Sequence, residues 1–408
     1  MPFDFVHGLE FLVVLLPTLQ GYYFYQIGAA PLPLIGFLIL FFLLCRPDIT
    51  ATFALRDCRY FLAILSLFLA SILIGLFSEG GGALNGETGT AVRNYFGNMA
   101  GPVFAIGFVS YFRTRSHSLI RYLNITLLLH MTAIIGQYFC LYVLGFYPDL
   151  LFAITGEKQR YESSMLRPTG LFSEPGHYAI FAIALVFMIN RFSSPLTTLQ
   201  FVALITILSN FSLLGTFLIV SFMLCYWLFS PKHLVIKVIT GIVFVIILQF
   251  PIGDLITQRV ASRVIDLQDD TSFTFRFIAA LDYFNTLPTI SKLFGTGLGN
   301  FEGFTSYGST YTYFLLHLGI VPTCSLFAIV CRYLRLICRV NFGALGFMAA
   351  LLIGSLMPTY MMFWMTIAAV GVLEKTKDIR SLKRMKTRAF RVCSIPELYV
   401  DTADGLAG

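Results

Sequence analysis

Residues 341–373 read NFGALGFMAALLIGSLMPTYMMFWMTIAAVGVL, thirty-three residues without a charged side chain. One membrane crossing needs about 20 apolar residues. This run is too long for one crossing and short for two. The residues after it decide between them. Lys375, Lys377, Arg380, Lys383, Arg384, Lys386, Arg388 and Arg391 follow within the tail. Lys and Arg collect on the cytoplasmic side of a membrane. A single crossing would leave all eight outside. Two crossings, divided at Pro358, keep them inside, and the charge outweighs the shortness of the spans.

The rest of the chain supports a membrane setting. It has 57% hydrophobic and 12% charged residues and a mean hydropathy of +0.80, against roughly 25% charge in soluble domains. Forty-two phenylalanines suit lipid-facing and interfacial surface. The net charge of +7 sits in short loops and the tail, which bears on topology rather than on nucleic acid. The eight cysteines form no CxxC pair and none lies in a candidate outer loop, which argues against a disulfide framework or a zinc site. The N-terminus is acidic, without the basic segment of a cleaved signal, so its first apolar run reads as a true span.

Working back from the tail, the candidate spans are 8–28, 31–45, 60–77, 91–112, 119–145, 175–190, two within 196–229, 234–250, 309–331 and the pair from 341–373. The pair within 196–229 divides near Ser209-Asn210-Phe211-Ser212, which should then meet the outer surface. This gives an all-α polytopic protein of about twelve transmembrane helices, with both termini cytoplasmic. A catalytic bundle would cover 1–373 and a basic tail 374–408. Two long loops face outward, 146–174 and 251–308. The second holds two candidate surface helices, 253–266 and 272–287, with apolar and basic residues interleaved.

Outer basic residues run against the charge trend. Arg160, Arg167, Arg259, Arg263 and Arg276 flank or lie in the two loops. They could snorkel or pair with nearby acids. As a set they fit one anionic ligand better, because arginine offers a fork of donors matched to phosphate oxygens. Arg259 and Arg263 would share a helix face. The stretch Arg167–Ala179, RPTGLFSEPGHYA, adds an acid and a histidine at the head of an apolar run. Pro175 suits a first helical turn. Glu174 would then sit at the N-cap, where an acid is favourable, with His177 one turn in. Capping accounts for Glu174 alone; with Arg167 and His177 beside it, a site whose base accepts a hydroxyl proton becomes the better reading. His317 on an apolar helix reads first as a core hydrogen-bonding group, with Tyr311 as an interfacial residue; a pocket is the alternative for both. GTGLGN at 295–300 is not GxGxxG and reads as a flexible turn.

RPTGLFSEPGHYA, then LSNFSLLGTFLIV, a long second outer loop, GTGLGNF and a helix ending LLHLGIVP give an order that resembles the O-antigen polymerase family. The order covers most of the chain from the fifth span onward. The chain is more distantly similar to the O-antigen ligases of the same superfamily, which carry a histidine in the second outer loop; residues 251–308 contain none. The resemblance implies a lipid-dependent glycosyltransferase bundle of the GT-C-like type in the bacterial inner membrane. It implies that Arg167 and arginines of the second loop, best Arg276, hold a lipid diphosphate, and that Glu174 and His177 line the same pocket. The implied substrate is an undecaprenyl-diphosphate-linked oligosaccharide, with no metal or cofactor. A chain-length regulator and a flippase are the implied protein partners. A ligase acting on lipid A core is the alternative within the superfamily. A transporter of lipid-linked sugars is the alternative from another class.

Overall fold

The computed structural model describes residues 5–19, 31–46, 55–77, 88–150, 168–172, 174–192, 194–210, 212–229, 278–297, 309–353, 356 and 360–375. The expected span at 234–250, the candidate helix 253–266 and the tail beyond 375 lie outside the described residues. Every regular element among those described is helical. In order they are α1 (Phe5–Leu15, continued by a 3-10 turn Leu16–Leu19), α2 (Pro31–Leu44), α3 (Leu55–Phe77), α4 (Thr88–Phe112), α5 (Ser116–Tyr142), α6 (Pro175–Asn190), α7 (Thr198–Ser209) and α8 (Leu213–Phe229). Then come two short helices, α9 (Ala279–Thr286) and α10 (Thr289–Phe294), followed by α11 (Thr310–Leu318) and α12 (Ile320–Arg332). A π-helical turn, Tyr333–Ile337, extends α12, and α13 (Phe342–Ile353) and α14 (361–375) close the bundle. Among the described residues, three stretches are long and apolar enough to cross a membrane: Asp57–Ile74, Ser116–Tyr142 and Ile320–Ile337.

Apolar helices divide into two kinds by packing: α6 is buried on every side from Tyr178 to Met188, whereas α2, equally apolar, exposes Leu34, Ile35, Leu38, Phe41 and Phe42. Helix α6 packs against α5, α7 and α8. Helix α14 is buried in the same way from Met361 to Leu373. By contrast α5 exposes Leu128, Leu129, Ile135 and Phe139, the surface a lipid-facing helix shows. Close approach uses small residues. Gly101 of α4 lies against the Trp364 indole of α14, where any added Cβ would overlap the ring.

The division of 196–229 falls where the sequence places it. Thr197 starts α7 with a capping box, its hydroxyl accepting from Gln200 N (3.3 Å) while Gln200 Oε1 accepts from Thr197 N (3.0 Å). The last apolar run also divides. Asn341, just before α13, donates to the carbonyl of Arg191 (3.2 Å), and Glu374, at the end of α14, pairs with Arg191 Nε (3.2 Å). The start of α13 and the end of α14 therefore meet at one residue, so the chain reverses between them. The boundary expected at 373/374 moves outward, since Glu374 and Lys375 belong to the bundle.

Those contacts belong to a set of paired charges that gathers one end of the bundle. Buried Asp57 at the start of α3 accepts from Lys375 Nζ and from Arg113 (3.4 Å), which follows α4. Arg191 ends α6 in the left-handed region at φ 51°, costly for a residue with a side chain. Its guanidinium donates to Met188 O (2.8 Å) and Ile189 O (3.0 Å) besides meeting Glu374, which holds that conformation. Buried Glu10 of α1 accepts from Tyr111 Oη (2.8 Å) and Tyr122 Oη (2.7 Å), with Arg115 Nε at 3.4 Å.

The run 309–331 is not the single span expected. It breaks at Gly319 (φ 77°), and α11 folds back along α12. Tyr311 and Phe314 bring their rings to 5.2 and 5.9 Å from that of Phe327, whereas residues 311 and 327 of a straight helix would stand about 24 Å apart. The break frees carbonyls, and each described bond answers one. Leu315 O accepts from Gly319 N (3.0 Å), Leu316 O from Thr296 N (3.2 Å) and His317 O from Gly297 N (3.0 Å). Ser71 of α3 adds a second bond to His317 O (3.2 Å), and Thr323 donates to Phe314 O (3.0 Å). The start of GTGLGN is thus a docked strap rather than a flexible turn. Gly295 (φ 82°) and Gly319 pack backbone to backbone, with no room for a Cβ on either.

Three substitutions test these contacts. Gly295→Ala should sharply reduce the yield of monodisperse protein in detergent, because its Cβ would overlap the His317 carbonyl. Gly136→Ala, whose Cβ meets nothing within 4 Å, should leave yield and Tm unchanged or slightly improved. Asp57→Ala should lower thermal stability by about 3 kcal/mol, the scale for removing one partner of a buried pair. An unchanged melting curve would show that Lys375 and Arg113 are held by something else.

Candidate functional site

At the end of the bundle opposite the paired charges, the Pro168–Tyr178 segment is held by polar groups from two helices. Gln137, fully buried on α5, is the principal holder. Its Oε1 accepts from Thr169 N (3.0 Å) and Gly170 N (2.7 Å), and its Nε2 donates to Pro148 O (3.0 Å). One side chain thereby ties both described flanks of the first outer loop. Asn210, between α7 and α8, completes the hold. With its amide oriented to suit its surroundings, the nitrogen lies 3.3 Å from the carbonyls of Pro168 and Thr206. Asn210 is buried beneath residue 168 rather than open to solvent. The reason is that the loop returns over the α7–α8 turn and needs a donor there for its carbonyl.

The turn itself is set by Gly170 in the left-handed region (φ 64°) and by a bond from Phe172 N to Thr169 O (3.2 Å). This brings Phe172 down into the bundle. Its ring stacks on His130 (5.2 Å) and packs against Phe181 (5.1 Å). His130 in turn shares a bond with Thr18 (2.8 Å). Tyr178 donates to Thr206 Oγ1 (2.7 Å), since that hydroxyl is committed to Ala203 O (2.8 Å).

Glu174 stands at the N-cap of α6 with extended backbone (φ −134°, ψ 146°), and Pro175 follows as the sequence suggests. Its side chain makes no hydrogen bond to the first-turn amides, and the helix dipole alone favours an acid at this position. His177 lies one turn in, and both residues are half-buried. Gly176, between them, approaches Ser212 at the head of α8; a Cβ there would lie 3.7 Å from its hydroxyl. The segment thus presents a carboxylate and an imidazole at a helix N-terminus, whose partial positive charge favours anions nearby.

His317 and Tyr311 sit elsewhere. His317 is buried, with Nδ1 2.9 Å from Gly297 O, the core hydrogen-bonding role read from the sequence. Tyr311, half-buried, donates to Ala349 O of α13 (3.1 Å), and Tyr313 is buried and accepts from Asn98 Nδ2 (2.9 Å). Arg160, Arg167, Arg259, Arg263 and Arg276 lie outside the described residues. Sequence reading missed Gln137, although an amide within an apolar run is a signal in its own right. Among the described residues no three His, Cys, Asp or Glu side chains cluster as a metal would need.

The fold defines an all-helical bundle with helices long and apolar enough to cross a membrane. No protein-family profile, curated protein or solved structure matches the chain.

Gln137→Leu should leave two buried N–H groups without an acceptor, each costing about 1–3 kcal/mol. The expected result is faster hydrogen exchange at Thr169 and Gly170, with exchange along α14 unchanged. Unaltered exchange at those two amides would refute the tie.

Proposed function

We propose that this chain is a membrane glycosyltransferase that polymerises undecaprenyl-diphosphate-linked oligosaccharide repeat units. It acts in the bacterial inner membrane, with the paired-charge end toward the cytoplasm and the Pro168–Tyr178 end toward the periplasm. The growing chain leaves its lipid carrier and passes to the non-reducing end of a new lipid-linked unit. The observation that carries this reading is the anchored Pro168–Tyr178 segment, which fixes Glu174 and His177 at a helix N-terminus directly after Arg167. The ordered run of sequence motifs supports it.

In this reaction the acceptor hydroxyl oxygen attacks the anomeric carbon and the bond to the diphosphate oxygen breaks. The hydroxyl proton passes to Glu174 or His177, and the lipid diphosphate departs. Arg167 and Arg276, with Arg160, Arg259 and Arg263, offset the charge that develops on the leaving group, the main catalytic contribution. The base aids the weaker partner, a sugar hydroxyl.

A transporter would draw support from the helix break at Gly319, because unwound carbonyls can bind ions. The carbonyls from Phe314 to His317 are already engaged by Thr323, Gly319, Thr296 and Gly297, which makes the break a joint.

The test is a lipopolysaccharide gel from a deletion strain complemented at matched expression with wild type, Arg167→Ala, Arg276→Ala, Glu174→Ala or His177→Ala. Wild type should restore the ladder. The arginine variants should reduce it to core plus one repeat unit, a loss of about 100-fold or more. Long chains accumulating on the lipid carrier would identify a ligase instead. Normal ladders from all four variants would refute the assignment.

A further inference from the structure

Helix α10 carries its apolar side chains on the wrong side for a soluble protein. Ile290, Leu293 and Phe294 are spaced i, i+3, i+4 and so share one face. In a water-facing helix that face would turn to the core. Here Ile290 is 75% exposed, Leu293 38% and Phe294 43%. Ser291 and Lys292 are the half-buried residues of this helix, and Lys292 folds back along α9 to donate to Asn285 O (2.7 Å).

The exposed face does not end with α10. The backbone of Leu293 and Phe294 lies against Gly319, which sets the end of α10 beside the start of α12. The next two residues, Ile320 and Val321, are exposed apolar side chains that open α12. Down α12 the same side continues through Cys324, Ala328 and Cys331, all exposed. That side belongs to Ile320–Ile337, one of the stretches able to cross a membrane. The α10 face is therefore the upper edge of a lipid-facing stripe.

We propose that α10 is a membrane foot: its Ile290–Leu293–Phe294 face is seated in the acyl boundary of the leaflet nearest Gly319. The occupant is lipid hydrocarbon. Three exposed apolar side chains, continuous with a spanning face, match a short helix lying in the interface plane. The inference rests on α12 crossing the membrane; it does not need the reaction proposed above. It adds a fixed depth for the second outer segment, because α10, the 295–297 strap and the Gly319 break are joined through backbone contacts.

The full chain, reconstituted in phosphatidylethanolamine–phosphatidylglycerol vesicles, would carry benzoylphenylalanine at one position and be irradiated. Adducts would then be identified by mass. Phe294 is the near-isosteric site and Ile290 the most exposed. Leu128, exposed on α5, is the lipid-facing reference, and Asp282, exposed on α9, is the polar one. Lipid adducts at Ile290 and Phe294 should fall within about twofold of Leu128 and exceed Asp282 by about fivefold. Yields as low as at Asp282 would overturn the foot. So would a cross-link to a second copy of the chain, which would make this face a protein interface. Loss of lipid adducts at Leu128 as well would fell the membrane reading itself and the foot with it, an outcome distinct from failure at α10 alone.

Discussion

Asp57, itself buried, holds two partly exposed cations, Arg113 and Lys375. The rest of the architecture depends on that constraint. A charge buried among apolar helices must be paired, because leaving it alone costs several kcal/mol. The pairing ties the start of α3 to the end of α4 and to the end of α14. Through adjacent residues it reaches Arg191 and Glu374, and so the end of α6 and the start of α13. Helix directions follow. Once these termini share one end of the bundle, the Pro168–Tyr178 segment must lie at the other.

At that other end polarity is handled by neutral groups. Gln137, Asn210 and Thr206 satisfy loop backbone and tyrosine hydroxyls without bringing a charge into the bundle. The ionisable pair, Glu174 and His177, is half-buried at the rim. Among the described residues the charge pairs gather at one end of the bundle, and Glu174 and His177 stand at the rim of the other.

Much of the fold was legible in the sequence because membrane helices are written in length and charge. The α7–α8 division was marked by polar residues, and the α13–α14 division by the basic tail alone. The tenth run was misread for a physical reason. Residues 309–331 satisfy every length and hydropathy criterion for a span, and glycine is common within such helices. The helix breaks at Gly319 (φ 77°), three residues before Pro322, a stop pattern that the length and hydropathy of the run outweighed, and the contact with Gly295 packs against that break. Within the site, the stretch holding Glu174, His177 and Pro175 was visible as a cluster. Gln137 and Asn210 were not, because their role depends on which carbonyl or amide a distant loop brings to them. The two flanks of that loop, residues 148 and 169, meet at a single side chain.

The meeting of Gly295 with Gly319 has a mechanical consequence. Side chains usually separate neighbouring elements and let them slip past each other by changing rotamer. Here main chain touches main chain, with hydrogen bonds on either side. There is no soft layer to absorb a small displacement. A tilt of α12 is delivered undamped to the strap and to α10, as through a rivet. The entrance to the second outer segment is thereby geared to the bundle, and its motion belongs to the slow collective class rather than to the fast fluctuation of a loop.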